Sequence, residues 1–280
     1  MAAQPADWLR PDWPAPAHVH AVCTTRAGGV SAAPWDSFNL GRYAGDDPAA
    51  VRANWATLQA VLSAEGPADG RPVRPVYLRQ VHGTVLQPLL ADTPDGIEAD
   101  ACTTAQAGVA CVAMAADCLP VLFTDRAGTR VAAAHAGWRG LAAGVLESAL
   151  ESFQPPALAG QAQEAMKKEA IEAAGVIAWL GPCIGPTAFE VGPEVREAFC
   201  VQDGAAAAHF RPRAGGKYLA DLAGLARQRL RAAGVERLYG NDSSPAWCTV
   251  GNPSRFFSYR RDNPRFGASG RMAACIWLAG

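Results

Sequence analysis

No run of apolar residues in this sequence is long enough to cross a bilayer. The longest, Gly108 to Phe123, is interrupted by Asp117 and falls short of the roughly 20 residues a spanning helix needs, so no membrane segment is expected. Net charge is equally scarce, with 25 Lys and Arg against 26 Asp and Glu leaving −1. Such a chain has no overall field to hold nucleic acid or anionic lipid, and neither is expected as a partner. Paired cysteines are missing too: eight occur, at 23, 102, 111, 118, 183, 200, 248 and 275, without one C-x-x-C among them. That pattern excludes a zinc ribbon and points to buried small residues plus one functional thiolate in a reducing compartment. Met1 to Trp13 lacks the basic start and apolar run of a secretory signal, so a cytoplasmic location is the expectation. Lysine occurs only at 167, 168 and 217, leaving 22 of the basic residues as Arg. A single arginine therefore carries little functional weight by itself.

What is present is a large apolar fraction, 50% of 280 residues, enough to bury a sizeable core. Asp46-Asp47-Pro48 supplies a cap and a first-turn proline, and Val51, Trp55, Leu58 and Leu62 follow at helical spacing, which predicts a surface helix over a core. Pro75 to Val81, Val109 to Ala115, Pro120 to Thr124 and Arg130 to His135 are short apolar runs bounded by turn residues and read as strands. Asp125 to Gly128 fits the loop of a hairpin. Helices are expected over Leu141 to Phe153, Gln161 to Ala174, Pro193 to Phe199 and Asp221 to Ala232, with Val176 to Leu180 and Ala273 to Leu278 as further strands. The irregular alternation predicts an α+β fold, mixed β-sheets flanked by helices in one layered domain spanning 1–280. The charged, Ala-rich interval 154–175 reads as a surface helical insertion.

Only five histidines occur, and two stand at the ends of predicted strands beside glycine, in Gln80-Val81-His82-Gly83 and Ala134-His135-Ala136-Gly137. Between them lies Ala116-Asp117-Cys118-Leu119-Pro120. Two imidazoles and a thiolate are a three-ligand set of the kind that leaves a fourth zinc position open for water. On spacing alone the same residues read as satisfied strand-end histidines and a core thiol, because separations of 36 and 17 residues match no local zinc pattern. His18, His20 and His209 lie in contexts that read as structural.

Four runs stand out: Thr24-Thr25-Arg26-Ala27-Gly28-Gly29-Val30-Ser31, Gln80 to Gly83, Ala116 to Pro120, and His135-Ala136-Gly137-Trp138-Arg139-Gly140. With Gly181 to Gly185, Phe189 to Gly192, Asp221-Leu222, Cys248-Thr249 and Phe256 to Asp262, they follow in order a pattern that resembles the YfiH family. The resemblance covers nearly the whole chain, and the 154–175 interval lies outside every matched motif. It implies a single domain of mixed sheets and helices with zinc held by His82, Cys118 and His135. It also implies a purine nucleoside phosphorylase acting on adenosine, inosine and methylthioadenosine with phosphate, with adenosine deamination as a second activity. Older labels for the family are polyphenol oxidase and laccase, and some members are linked to peptidoglycan editing.

The residues weigh differently on these labels. A multicopper laccase needs a blue-copper site and a trinuclear cluster, more imidazoles than five. Copper binding in vitro at a His2Cys set is compatible with the ligands. A cytidine-type deaminase would show H-x-E and P-C-x-x-C, but here stand His82-Gly83-Thr84 and Pro182-Cys183-Ile184-Gly185. Proton transfer would need a carboxylate, with Asp117 first by sequence and Asp100 or Glu190 behind it. Phosphorolysis needs an anion pocket. Arg26 beside Gly28-Gly29 and Arg139 at a predicted helix start are the leading phosphate donors, with Arg260 and Asn39 as further substrate or phosphate candidates. The alternative of a different class is a cysteine hydrolase with Cys118 as nucleophile and His135 as base, acting on an amide such as a peptidoglycan precursor. The expected fold is similar to that of deamidating cytotoxic necrotizing factor toxins, which lends it analogy only. Oligomeric state leaves no mark in the sequence.

Overall fold

A computed structural model describes residues 8–155 and 163–280. Its architecture is helix, sheet, sheet, helices. A four-stranded sheet runs Val19–Cys23, Met272–Leu278, Val109–Ala115, Arg74–Pro75 in spatial order. A six-stranded sheet runs Arg237–Gly240, Ile177–Leu180, Leu119–Thr124, Val131–Ala136, Ala101–Thr104, Leu86–Pro88. Both mix parallel and antiparallel pairs.

Side-chain alternation along the strands builds the layers. In Val109–Ala115, Val109, Cys111 and Ala113 face the space between the sheets, while Ala110, Val112 and Met114 face the opposite way. The outward set packs under the helix Pro48–Ser63, whose buried Val51, Trp55, Leu58 and Leu62 form the stripe expected from the sequence. Asp47 caps that helix by accepting from the Ala49 N–H at 2.9 Å. On the far side, Leu119, Val121 and Phe123 with Ala132, Ala134 and Ala136 pack against Leu141, Leu146, Leu222 and Leu225. Between the sheets lie Leu122, Val131, Ala133, Trp179, Ala274 and Ile276.

The predicted helix Leu141 to Phe153 is divided into Trp138–Ala143 and Val145–Glu151, because Gly144 takes φ 105 and closes the first piece. The predicted helix over 161–174 is seen as Glu164–Ala174, with only Ile171 buried. The first two positions of that expectation, and most of the loop before it, fall in 156–162, outside the described residues. No helix among the described residues is long and apolar enough to cross a membrane.

Leu122 lies wholly buried between the sheets, flanked in register by Trp179 and Ala133 on the two neighbouring strands. Leu122→Ala is expected to cost about 2–5 kcal/mol, read as a lowered midpoint in denaturant unfolding at unchanged slope.

Candidate metal centre and cavity

Strand register delivers the cluster. Leu119–Thr124 and Val131–Ala136 form an antiparallel hairpin in which Leu119 faces Ala136 and Pro120 faces His135. Cys118, one residue before the first strand, therefore arrives beside Gly137, one residue after the second. On the other edge of Val131–Ala136, Ala101 faces Ala134, so Asp100 arrives opposite His135. Cys118 shares strand parity with Leu122, His135 with Ala133, and Asp100 with Cys102, and those three all face the gap between the sheets. The alternation that buries the core thus turns Cys118, His135 and Asp100 into the open end of the same gap.

His82 comes from the loop after the short strand Leu78–Arg79. Its Nε2 lies 3.6 Å from Cys118 Sγ, and the ligand atoms of His82, Cys118 and His135 lie within 4.8 Å of one another. Zinc–nitrogen bonds of about 2.0–2.1 Å and a zinc–sulfur bond of about 2.3 Å in tetrahedral array place such atoms roughly 3–4 Å apart, so the donor set fits. Gly137 leaves the room for it. A Cβ there would sit 2.5 Å from His82 Cδ2 and 3.1 Å from Cys118 Sγ.

Asp100 is the brace. Its carboxylate is buried and accepts from the backbone N–H groups of Val81, His82 and Gly83 at 3.1, 2.9 and 2.7 Å and from His135 Nδ1 at 2.8 Å. A carboxylate in this state only accepts, so Nδ1 carries the proton and Nε2 is left as the metal-facing lone pair. Burial works to raise the Asp100 pKa, but the His135 bond and the Gly83 and Val81 amides outweigh it and hold the group ionised below its ordinary value. Its four hydrogen bonds commit Asp100 to the His82 loop and to His135. His82 and Asp117 take φ 63 and 91, two of the three non-glycine residues with positive φ among those described. Such conformations persist only where the surroundings over-determine them.

Burial pushes the Cys118 thiol up, but the His135 charge and hydrogen bonds from His135 and His82 bring it down to about 6. Burial likewise lowers His135, while Cys118 and Asp100 raise it to about 9. Without metal, each group favours the charged form of the other.

The cluster opens on a cavity of about 540 Å³. Tyr77, Trp138, Phe189 and Tyr259 give it aromatic walls, and Arg42, Arg79, Arg260 and Arg271 give it positive charge. Arg42 and Arg79 are paired with Asp95 and Glu98 at 2.7 and 2.8 Å. Arg260 donates through NH1 to the Glu190 carbonyl at 3.2 Å, and Arg271 through NH1 to the Ser269 and Gly270 carbonyls at 2.8 and 3.0 Å.

The structure brings only part of the predicted set together. Asp117 lines the cavity, but one carboxylate oxygen accepts from Thr249 Oγ1 at 2.5 Å and the other from the Arg260 N–H at 2.6 Å, so it ties the 249–260 segment to the cluster. Arg26 does not line the cavity. Its guanidinium pairs with Asp36 at 3.1 Å, donates to the Asp36 and Pro253 carbonyls and lies over Phe257. Asn39 is fully buried, donating to Asp46 and accepting from the Gly41 and Arg271 N–H groups. Arg139 is exposed, stacked on its neighbour Trp138 and outside the cavity lining. Glu190 pairs with Lys217 at 2.8 Å. Cys183 and Cys248 face each other across an isolated bridge behind Ile184 and do not line the cavity. Missed from the sequence were Arg271, Arg42 and Arg79, which no motif flagged because arginine is so common here.

A family profile described as "Multi-copper polyphenol oxidoreductase laccase" matches residues 20–279. The chain is 48% identical to "Purine nucleoside phosphorylase PA4543" of Pseudomonas aeruginosa over 97% of its own length and 98% of that protein. It is 47% identical to "Purine nucleoside phosphorylase YfiH" of Escherichia coli over 96% and 97%. Among solved structures, Neisseria meningitidis protein NMB0706 superposes with a TM-score of 0.80 at 45% identity, covering 98% of this chain and 100% of that one.

Asp100→Asn keeps one acceptor oxygen and loses the charge facing His135, and zinc affinity is expected to fall about 10- to 100-fold in chelator competition. The thiol's folded value lies below its unfolded one, so its contribution is complete above the ordinary thiol range and is lost as pH falls through about 6. The imidazole runs the other way, its contribution complete below its ordinary range and lost as pH rises through about 9. Alkylation of Cys118 in metal-free protein should accordingly hold its plateau down to about pH 6, whereas an ordinary thiol fades below about 8.5. Peptide mapping of the alkylated site across a pH series checks this.

Proposed function

This chain belongs to the family described as multi-copper polyphenol oxidoreductase laccase, the YfiH family its motifs resemble, and we propose that it is a zinc-dependent purine nucleoside phosphorylase. Adenosine, inosine and methylthioadenosine are its proposed substrates, cleaved with phosphate to the free base and a pentose 1-phosphate. The observation that carries the proposal is the near end-to-end identity of 47–48% to relatives bearing the name purine nucleoside phosphorylase. The cavity agrees with it in kind: its volume of about 540 Å³ suits a nucleoside with phosphate, aromatic side chains offer faces to a purine, and guanidinium groups offer forks to an anion.

Zinc bound by His82, Cys118 and His135 would supply Lewis-acid chemistry with one coordination position open to a ligand. The chain's own part is positioning and charge. Arg260 and Arg271 line the cavity without a carboxylate partner among the described ion pairs, which makes them the cations best able to receive a phosphate dianion beside a developing positive ribose. Asp117 sets Arg260 by holding its N–H at 2.6 Å. Tyr77, Phe189 and Trp138 line the cavity with aromatic faces that would exclude water from a bound base. The laccase description fits the residues less well, because one cluster of three ligands among the described residues, and five histidines in all, are too few for a blue-copper site and a trinuclear cluster together.

Chromatography of adenosine digests is expected to show adenine and ribose 1-phosphate with phosphate present and no base release without it. Equal release without phosphate would mean hydrolysis, and inosine as the main product would mean deamination. Elemental analysis should find one zinc per chain, whereas stoichiometric copper with phenol oxidation would restore the laccase description. Arg260→Ala is expected to raise the apparent KM for phosphate about 10- to 100-fold, the loss of one charge-assisted hydrogen bond, with a smaller change for nucleoside. Arg26→Ala should instead lower stability and leave the phosphate KM near its normal value, since its side chain braces the 36 and 253 loops.

A further inference from the structure

The three ligands of the cluster come from three separate segments, and Asp100 joins only two of them, the His82 loop and His135. That brace does not reach Cys118, which the hairpin of Leu119–Thr124 and Val131–Ala136 sets beside the His135 strand but not beside His82. The segment leading to Cys118 is the strand Val109–Ala115, paired along one edge with Met272–Leu278. On its other edge, among the described residues, only Arg74–Pro75 pairs with it, opposite Val109 and Ala110. Beyond that point the chain leaves to pair Leu78–Arg79 with Ile97–Glu98. Met114, near the cavity end of the strand, has no strand partner on that edge among the described residues.

The side chain of Gln80 fills the gap. Its Nε2 donates to the Met114 carbonyl at 2.7 Å, and the Met114 N–H donates to its Oε1 at 2.8 Å. A residue in an antiparallel pair that does not bond its partner turns its N–H and C=O to the same outer side. A primary carboxamide carries a donor and an acceptor in one plane and copies the two bonds a neighbouring strand would make there. Gln80 precedes His82 by two residues, and Met114 precedes Cys118 by four. The contact is a short non-covalent bridge between two ligand-bearing segments, next to the point where His82 holds φ 63.

We infer that Gln80 is a positioning residue for the metal centre, fixing His82 relative to Cys118 by standing in for the strand partner that Met114 lacks. The inference rests on the cluster being a metal centre. Asp100 and Gln80 then divide the task, one tying His82 to His135 and the other tying it to Cys118. Gln80 also lines the cavity, but both polar atoms of its amide are committed to Met114, so its effect on catalysis passes through the ligands.

The test uses the full chain with zinc and with cobalt(II) as probes. Gln80→Ala is expected to bind zinc about 10- to 100-fold more weakly in competition with a chromophoric chelator, the range seen when groups that orient metal ligands are removed. Its cobalt(II) form should show an altered thiolate-to-metal absorption band, which a change confined to folding stability would not produce in the folded fraction. Gln80→Glu keeps the shape and one acceptor but confronts the Met114 carbonyl with a second oxygen, and it should fall in the same direction. It carries the comparison if the alanine variant does not fold. Zinc affinity within twofold of wild type together with an unchanged cobalt spectrum in a folded variant would overturn the proposal. Failure of the metal centre itself would look different: wild-type protein would hold no stoichiometric zinc, or Cys118→Ala would retain it, and the role of Gln80 would fall with it.

Discussion

A single buried carboxylate organises the candidate site. Taking the Asp100 charge out of water is costly, and the cost is offset only because three consecutive backbone N–H groups and the His135 imidazole converge on its two oxygens. The same four bonds that stabilise the charge fix the backbone of the His82 loop and hold His135 Nδ1, leaving its Nε2 to face Cys118. Remove the charge and the His82 loop and His135 lose the group that joins them.

Those layers explain why the cluster sits where it does. Two sheets packed face to face need small and branched side chains in the space between them, and Ala113, Ala133, Val131 and Ile276 supply it. At one end the strands run out, and there the inward-facing positions pass from Ala133 to His135 and from Leu122 through Pro120 to Cys118. Polar ligands at those positions meet the cavity and not the dry core, so the parity that makes a good core also makes a good site. Gly137 belongs to the same economy of space, because any side chain there would occupy the volume shared by His82 and Cys118.

Charge in this protein is deceptive at the level of the chain and informative at the level of the cavity. A net charge of −1 gives no long-range field, yet four arginines line one concavity whose only lining carboxylate among the described residues, Asp117, already accepts from Thr249 and Arg260. Arg26 and Arg139, which sit in the most conspicuous motifs, are spent on loop bracing and on stacking over Trp138. Arg271 occurs in no conspicuous pattern and reaches the cavity because Met272–Leu278 is the strand that pairs with Val109–Ala115.

Much of the fold was legible from local chemistry. The Asp47–Pro48 start and the Val51, Trp55, Leu58, Leu62 stripe mark a helix, and the short apolar runs at Val109–Ala115, Leu119–Thr124 and Val131–Ala136 mark strands, because capping and side-chain periodicity act over a few residues. The identity of His82, Cys118 and His135 as competent ligands could also be named from residue type and neighbouring glycine. What spacing could not supply was their meeting, since separations of 36 and 17 residues become short distances only through strand register and the return of the His82 loop onto Asp100. The roles of Asp100, Gln80 and the arginines were hidden for the same reason. A carboxylate, an amide or a guanidinium acts through whatever faces it, and which group faces it was decided by the tertiary structure alone.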